Sequence, residues 1–154
     1  MKVQYINPFI EAAHEVFHQL VHYPLKLGKP ILKTSPITSR DVTVIIGVIG
    51  QRIRGQILYS MDTTVAIAVA SAMQNKPVRE LDEMAKSAVG EMGNILTGNA
   101  ATHLAEAGYS CLITPPTIIQ GKDIHVSTMN MQTVSVPLHS SLGDMTIDVA
   151  VKEY

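Results

Sequence analysis

Residues 81–108 read LDEMAKSAVGEMGNILTGNAATHLAEAG, the longest run in the chain compatible with a single helix. At about 100° per residue, Ala85, Val89, Met92, Leu96 and Ala100 fall on one side, while Ser87, Glu91, Asn94 and Gly98 share the opposite side. The first set suits a core, which leaves the second as an offered surface. Glu91 and Asn94 stand at i and i+3 and are therefore neighbours, and Gly98 has no side chain to hold another molecule away. Asparagine and glycine are poor helix formers, yet Gly90, Gly93, Asn94, Gly98 and Asn99 crowd into this one element. Each glycine costs on the order of 0.5 to 1 kcal/mol relative to alanine, so the crowding argues for close approach by a partner. Met84, Met92, Met129, Met131 and Met145 read first as core filler, although Met84 and Ile95 flank Glu91 and can pack against such a partner.

Outward from this helix, Gly108 supplies the C-terminal stop, and Asp62 can cap a helix over 63–74 whose small, apolar residues suggest burial on most sides. Asn7-Pro8 reads as the start of a first helix running to about His22. Residues 42–49 and 53–59 are β-branched or alternating, and residues 50–52 form the turn of an antiparallel hairpin. A modest strand over 25–34 is interrupted by Gly28 and Pro30, and residues 36–40 read as a loop. Residues 109–114 form a short strand. Residues 118–120 and 124–128 flank Gly121-Lys122-Asp123 as a second hairpin, and strands over 133–138 and 145–151 close the chain. In the last of these, Thr146, Asp148 and Ala150 alternate with Met145, Ile147, Val149 and Val151, the pattern of a half-buried strand. Helices and hairpins without regular strand-helix-strand crossovers predict an α+β fold with a long antiparallel sheet and two principal outer helices. The 154 residues suit one domain, 1–154.

Composition narrows the function. With 46% hydrophobic and 16% charged residues and a net charge of -1, the chain has no general pull toward nucleic acid or an anionic membrane. No tryptophan and two phenylalanines leave few rings for stacking on bases. The longest apolar segment, 63–73, is about half a membrane span. One cysteine, Cys111, in an apolar stretch reads as a buried structural thiol, and with no secretory signal in MKVQYINPF it suits the cytoplasm.

Glu91 and Asn94 have the chemistry to assist attack on an electrophile without being nucleophiles. A carboxamide can hold a water in line with a phosphorus atom, and a carboxylate can pair with a lysine or take a proton. The plain alternative is a solvated helix face. Ser87-x3-Glu91-x2-Asn94 followed by Pro116 resembles the signature of the CheC, CheX and FliY phosphatases of bacterial chemotaxis. The Asn7-Pro8-Phe9 helix, the 42–59 hairpin and the length are similar to the CheX group. The first helix echoes the long one, Asn7-x3-Glu11-x2-His14 against Ser87-x3-Glu91-x2-Asn94, with histidine in place of the asparagine. That fits pseudo-repeat halves with a single working site.

The resemblance implies a phosphatase for a phosphorylated response regulator of the CheY type, which brings its own phosphoaspartate, lysine and Mg²⁺. No cofactor would then be tightly bound. By the same resemblance Asn94 orients the attacking water, Glu91 contacts the regulator's lysine and the chain forms a homodimer; by their places on the helix face, Ser87, Gly98, Met84 and Ile95 line the docking surface. Two alternatives stay open. One is a non-catalytic module of the same fold that binds a regulator. The other is a zinc protein, because His14-Glu15-Val16-Phe17-His18 is a literal H-E-x-x-H; no third-ligand signature follows it, and a helical row of histidines is also simply a polar face.

Overall fold

The computed structural model describes residues 3–33, 37–38, 40–128 and 131–154. Thr34, Pro36, Ser39 and Met129, which the sequence assigns to a strand, a loop and the core, lie outside the described residues. In chain order the elements are α1 (Val3–Val21), β1 (Lys26–Leu27), β2 (Ile31–Lys33), β3 (Ile37–Thr38), β4 (Val42–Gly50), β5 (Ile53–Met61), α2 (Thr63–Gln74), α3 (Glu83–Glu106), β6 (Cys111–Ile113), β7 (Thr117–Gln120), β8 (His125–Val126), β9 (Thr133–Ser140) and β10 (Gly143–Glu153). One antiparallel sheet runs β1-β9-β10-β5-β4-β6, with β2 also on β9 and β7 also on β4. This is the α+β architecture expected, with α2 as a third, shorter helix beside the two long ones.

The β-branched run of β4 and the alternating run of β5 pair around Gln51-Arg52, as predicted, from Val42↔Met61 to Ile49↔Arg54. Side chains alternate across a strand, so one face carries Val44, Tyr59, Ile147 and Val136 in a row across four strands, all buried. Ala85, Val89, Met92, Leu96 and Ala100 of α3 are completely buried, as the helical spacing requires. Burying Met92 and Leu96 contributes about 1.5 to 3 kcal/mol each, which fixes which side of α3 turns outward.

Helix α3 begins where its sequence says it should. The Asp82 carboxylate accepts the Ala85 amide at 2.8 Å, satisfying one of the free amides of the first turn. At the other end Tyr109 N–H donates to Leu104 O at 2.8 Å and Gly108 N–H to Ala105 O at 3.0 Å. Gly108 takes φ +94°, the left-handed conformation that a double-bonded helix stop needs.

Four expectations are corrected. Helix α1 starts at Val3, with Pro8 inside it; burial of Tyr5 and Ile6, and the edge-on contact of Tyr5 with the Tyr109 ring, favour the extra turn over a start at Asn7. Asp62 stands before α2 but its side chain makes no capping bond; the Asp41 carboxylate accepts from both the amide and the hydroxyl of Thr63, at 3.2 and 3.3 Å. Strands β7 and β8 do not form a hairpin with each other. The edge of β4 takes β7, while β8 pairs with β3 inside the segment expected to be loop, because the positive φ of Gly121 and Asp123 turns the chain away. Finally, β10 is buried on both faces at its centre, Asp148 and Ala150 included. Burial pushes the Asp148 carboxyl up despite its hydrogen bond from Ser135.

Gly90 and Gly93 are also read differently in three dimensions. Both are buried, and a Cβ on Gly93 would meet Val44 Cγ1 at 3.1 Å and the Tyr59 ring at 3.3 Å. Gly93 lets α3 lie close on the sheet, whereas a Cβ on Gly90 would make ordinary contact with Ile118 Cδ1 at 3.4 Å; Gly98, whose nearest neighbour would be Ile113 Cδ1 at 4.0 Å, is the most open of the three to a visitor. Gly93→Ala therefore loses about 1 to 3 kcal/mol by overpacking, whereas Gly98→Ala gains about 0.5 to 1 kcal/mol of helix propensity. Urea denaturation of the two variants distinguishes these opposite signs.

Candidate functional site

The outward strip of α3 is where the spacing puts it. Ser87 and Glu91 are exposed, and Asn94 and Gly98 are half-exposed. Among the described residues none hydrogen-bonds or ion-pairs with the side chains of Ser87, Glu91 or Asn94. A carboxylate and a carboxamide are thus held side by side on a rigid helix with their bonding capacity unspent.

A groove of about 530 Å³ runs along one flank of the strip, lined by Lys86, Ser87, Gly90, Glu91, Pro116 and Ile118. Pro116 reaches the strip because β7 pairs with β4 beneath it, and its ring lies 3.7 Å from where a Gly90 Cβ would be. The four motif positions, Ser87, Glu91, Asn94 and Pro116, therefore converge on one surface from two elements. Lys86, one of the groove's walls, donates to Glu83 Oε1 at 3.2 Å. On the other flank Met84 is 61% exposed and so belongs to the surface. Ile95 is half-buried and packs against the core, which leaves only part of it for a partner.

Two positioning features were not read from the sequence. Beneath the strip, the Tyr59 hydroxyl lies 2.6 Å from Thr97 Oγ1, and Thr97 donates to the carbonyl of Gly93 at 2.7 Å. A threonine on the apolar face of an otherwise apolar stripe was the signal available. At the C-terminal half of α3, His103 meets α1: its Nδ1 is 3.3 Å from Glu11 Oε2, its Nε2 is 3.3 Å from Glu15 Oε2, and Glu106 stands at 3.7 Å. The hydrogen bond with Glu15 and the surrounding carboxylates raise the His103 pKa above the ordinary histidine value, against the opposing effect of its partial burial.

This cluster also decides how the first helix is read. Glu11, which echoes Glu91, is drawn into the α1–α3 contact. In the H-E-x-x-H run, His14 and His18 are exposed, and Glu15 is engaged by His103. Among the described residues no group of three or more histidine, cysteine or acidic side chains has the arrangement to hold a metal ion. Cys111 is half-buried with its thiol pKa raised by burial, the condition of an inert thiol. No described helix is long and apolar enough to cross a membrane.

The model of the chemotaxis phosphatase CheX matches residues 42–139, a span that includes α3, Glu91, Asn94 and Pro116. The chain belongs to the CheX family. Its relatives agree along nearly the whole length. The CheY-P phosphatase CheX of Thermotoga maritima is 31% identical over 132 residues, covering 85% of this chain and 84% of that one. A CheC-like superfamily protein from a Shewanella species superposes with a TM-score of 0.89 at 27% identity, covering 99% of each chain. The CheX chain in the CheX–CheY–BeF₃–Mg²⁺ complex of Borrelia burgdorferi gives a TM-score of 0.81 at 31% identity, covering 99% of this chain and 100% of that one.

For this CheX-family chain the His103 cluster predicts a pH dependence of stability. A histidine whose folded-state pKa is raised stabilises fully below its unfolded value and loses that contribution as pH rises through the raised value. Urea midpoints measured from about pH 5.5 to 8.5 should therefore fall for the wild type relative to His103→Gln as pH rises. Parallel curves would contradict the assignment.

Proposed function

We propose that this chain dephosphorylates a CheY-type response regulator by laying the Ser87–Glu91–Asn94 face of α3 over the regulator's phosphoaspartate. The observation that carries the reading is the pairing of an unengaged Glu91 and Asn94 on one outward strip, with Pro116 beside them, in a chain of this family. Phosphoryl transfer asks for positioning and charge stabilisation more than for covalent work by the protein. A carboxamide offers both a donor and an acceptor, so Asn94 orients the attacking water in line with phosphorus. Glu91 pairs with the regulator's lysine; such a charge-assisted bond fixes the register of the docked partner. Ser87 and the open backbone at Gly98 allow close approach, and Met84 and the exposed part of Ile95 supply apolar contact along the second flank.

Mg²⁺ and the phosphoaspartate arrive with the regulator, so the chain itself needs no tightly bound cofactor. The reading carries a cytoplasmic location with it, and the single free cysteine accords with a reducing compartment. It also includes a homodimer. Edge strand β2 leaves Ile31 and Leu32 exposed, and Leu112 on edge strand β6 is 78% exposed; unpaired apolar edges favour pairing with another chain.

The test is the decay of acyl phosphate on CheY-type receivers phosphorylated with acetyl phosphate, with and without the protein. Asn94→Ala should lower kcat about 100-fold or more, the scale of a lost water-positioning group. Glu91→Ala should raise KM as well as lower kcat. Binding without any acceleration would establish a non-catalytic module instead.

A further inference from the structure

Asn94 is bracketed by Gly93 and Thr97, and both are held from below by one side chain. Tyr59 stands in the C-terminal half of β5, completely buried. Its ring carbons Cδ2 and Cε2 lie 3.3 and 3.5 Å from the Cβ position that Gly93 lacks, so the helix backbone rests directly on the ring. The Thr97 hydroxyl spends its proton on Gly93 O at 2.7 Å, which leaves its lone pairs to receive the Tyr59 hydroxyl at 2.6 Å. Burial pushes the Tyr59 phenol pKa up, so the ring remains a donor at every physiological pH. The last carbonyl before Asn94 and a buried residue three positions after it are thereby tied to the sheet.

We propose that Tyr59 is a positioning residue for the phosphatase reaction, setting the rotation of α3 through Thr97 and the Gly93 carbonyl and so aiming the Asn94 carboxamide. The inference rests on the reading that Asn94 orients the attacking water. Side-chain atoms lie about 5 to 6 Å from a helix axis, so a rotation of about 10° moves a carboxamide by about 1 Å. A displacement of that size can cost on the order of 100-fold in rate. Apolar packing alone leaves such a rotation soft, because neighbouring rotamers accommodate it; two hydrogen bonds in series do not.

The experiment separates aim from stability. Tyr59→Phe keeps the ring and removes the bond, Thr97→Val removes the acceptor and leaves a buried hydroxyl unpaired, and the double variant replaces both partners with apolar groups. Leaving one partner unpaired is costly, whereas replacing both is close to neutral, so the double variant should recover the thermal stability that Thr97→Val loses. With CheY phosphorylated by acetyl phosphate in Mg²⁺, each single variant should lose about tenfold in kcat with KM within about twofold. The double variant should stay as slow as the slower single, and Thr97→Ser should retain the rate. A double variant that regains rate together with stability, or a Tyr59→Phe enzyme with wild-type kcat, overturns the proposal. A second readout needs no turnover: the Asn94 side-chain amide resonances should shift and broaden in Tyr59→Phe and not in Thr97→Ser. Wild-type protein that accelerates no receiver refutes the phosphatase reading, and the amide resonances then decide the positioning claim alone, unchanged signals in Tyr59→Phe counting against it.

Discussion

The structure depends on how closely α3 can lie on β4 and β5. That distance is set at Gly93, where a hydrogen stands in place of a side chain and the helix backbone meets Val44 and the Tyr59 ring. With the backbone seated, Val89, Met92 and Leu96 fill the space on either side and are completely buried. Their burial decides which side of the helix faces the sheet, and so turns Ser87, Glu91 and Asn94 outward. The surface is therefore a product of the core. Nothing on the exposed strip itself fixes where its side chains point, and the residues that fix it carry none of the chemistry.

The same division holds for charge. Lys86 is paired with Glu83, and Arg52 is bonded to Glu153 and stacked on Tyr109, while Glu91 keeps no internal partner among the described residues. Exposed pairs of this kind add little to stability. An unpaired carboxylate on a rigid helix is suited to a cation that arrives on another molecule. The echoing glutamate of α1 has gone the other way. Glu11 and Glu15 face His103, so the corresponding face of the first helix is used to hold α1 against α3. One layout is left unengaged in one helix and serves cohesion in the other.

Much of this was legible in the sequence because it follows from periodicity. The 100° spacing located both faces of α3, the β-branched run located the central hairpin, and Asp82 and Gly108 marked the ends of the helix that matters. What the spacing could not supply was the third dimension. The glycines of α3 looked alike in the sequence, yet Gly93 faces the sheet and Gly98 faces solvent, and only packing tells them apart. Asp62 stood in the capping position while Asp41, distant in sequence, made the bonds to Thr63. Tyr59 and Thr97 are 38 positions apart, and their contact depends on the register of β5 beneath α3. The chemistry of the site was carried by its motif; its support came from long-range pairs that no local pattern encodes.

The central claim is that the outward strip of α3 is the surface that meets the phosphorylated receiver. The structure of this chain bound to a CheY receiver carrying beryllofluoride and Mg²⁺ addresses it most directly. The account predicts the Asn94 carboxamide within about 2.6 to 3.2 Å of a water, or of the position of one, in line with the beryllium centre, and Glu91 on the receiver's lysine. A receiver seated elsewhere on the chain, with residues 87–98 still facing solvent, would contradict it.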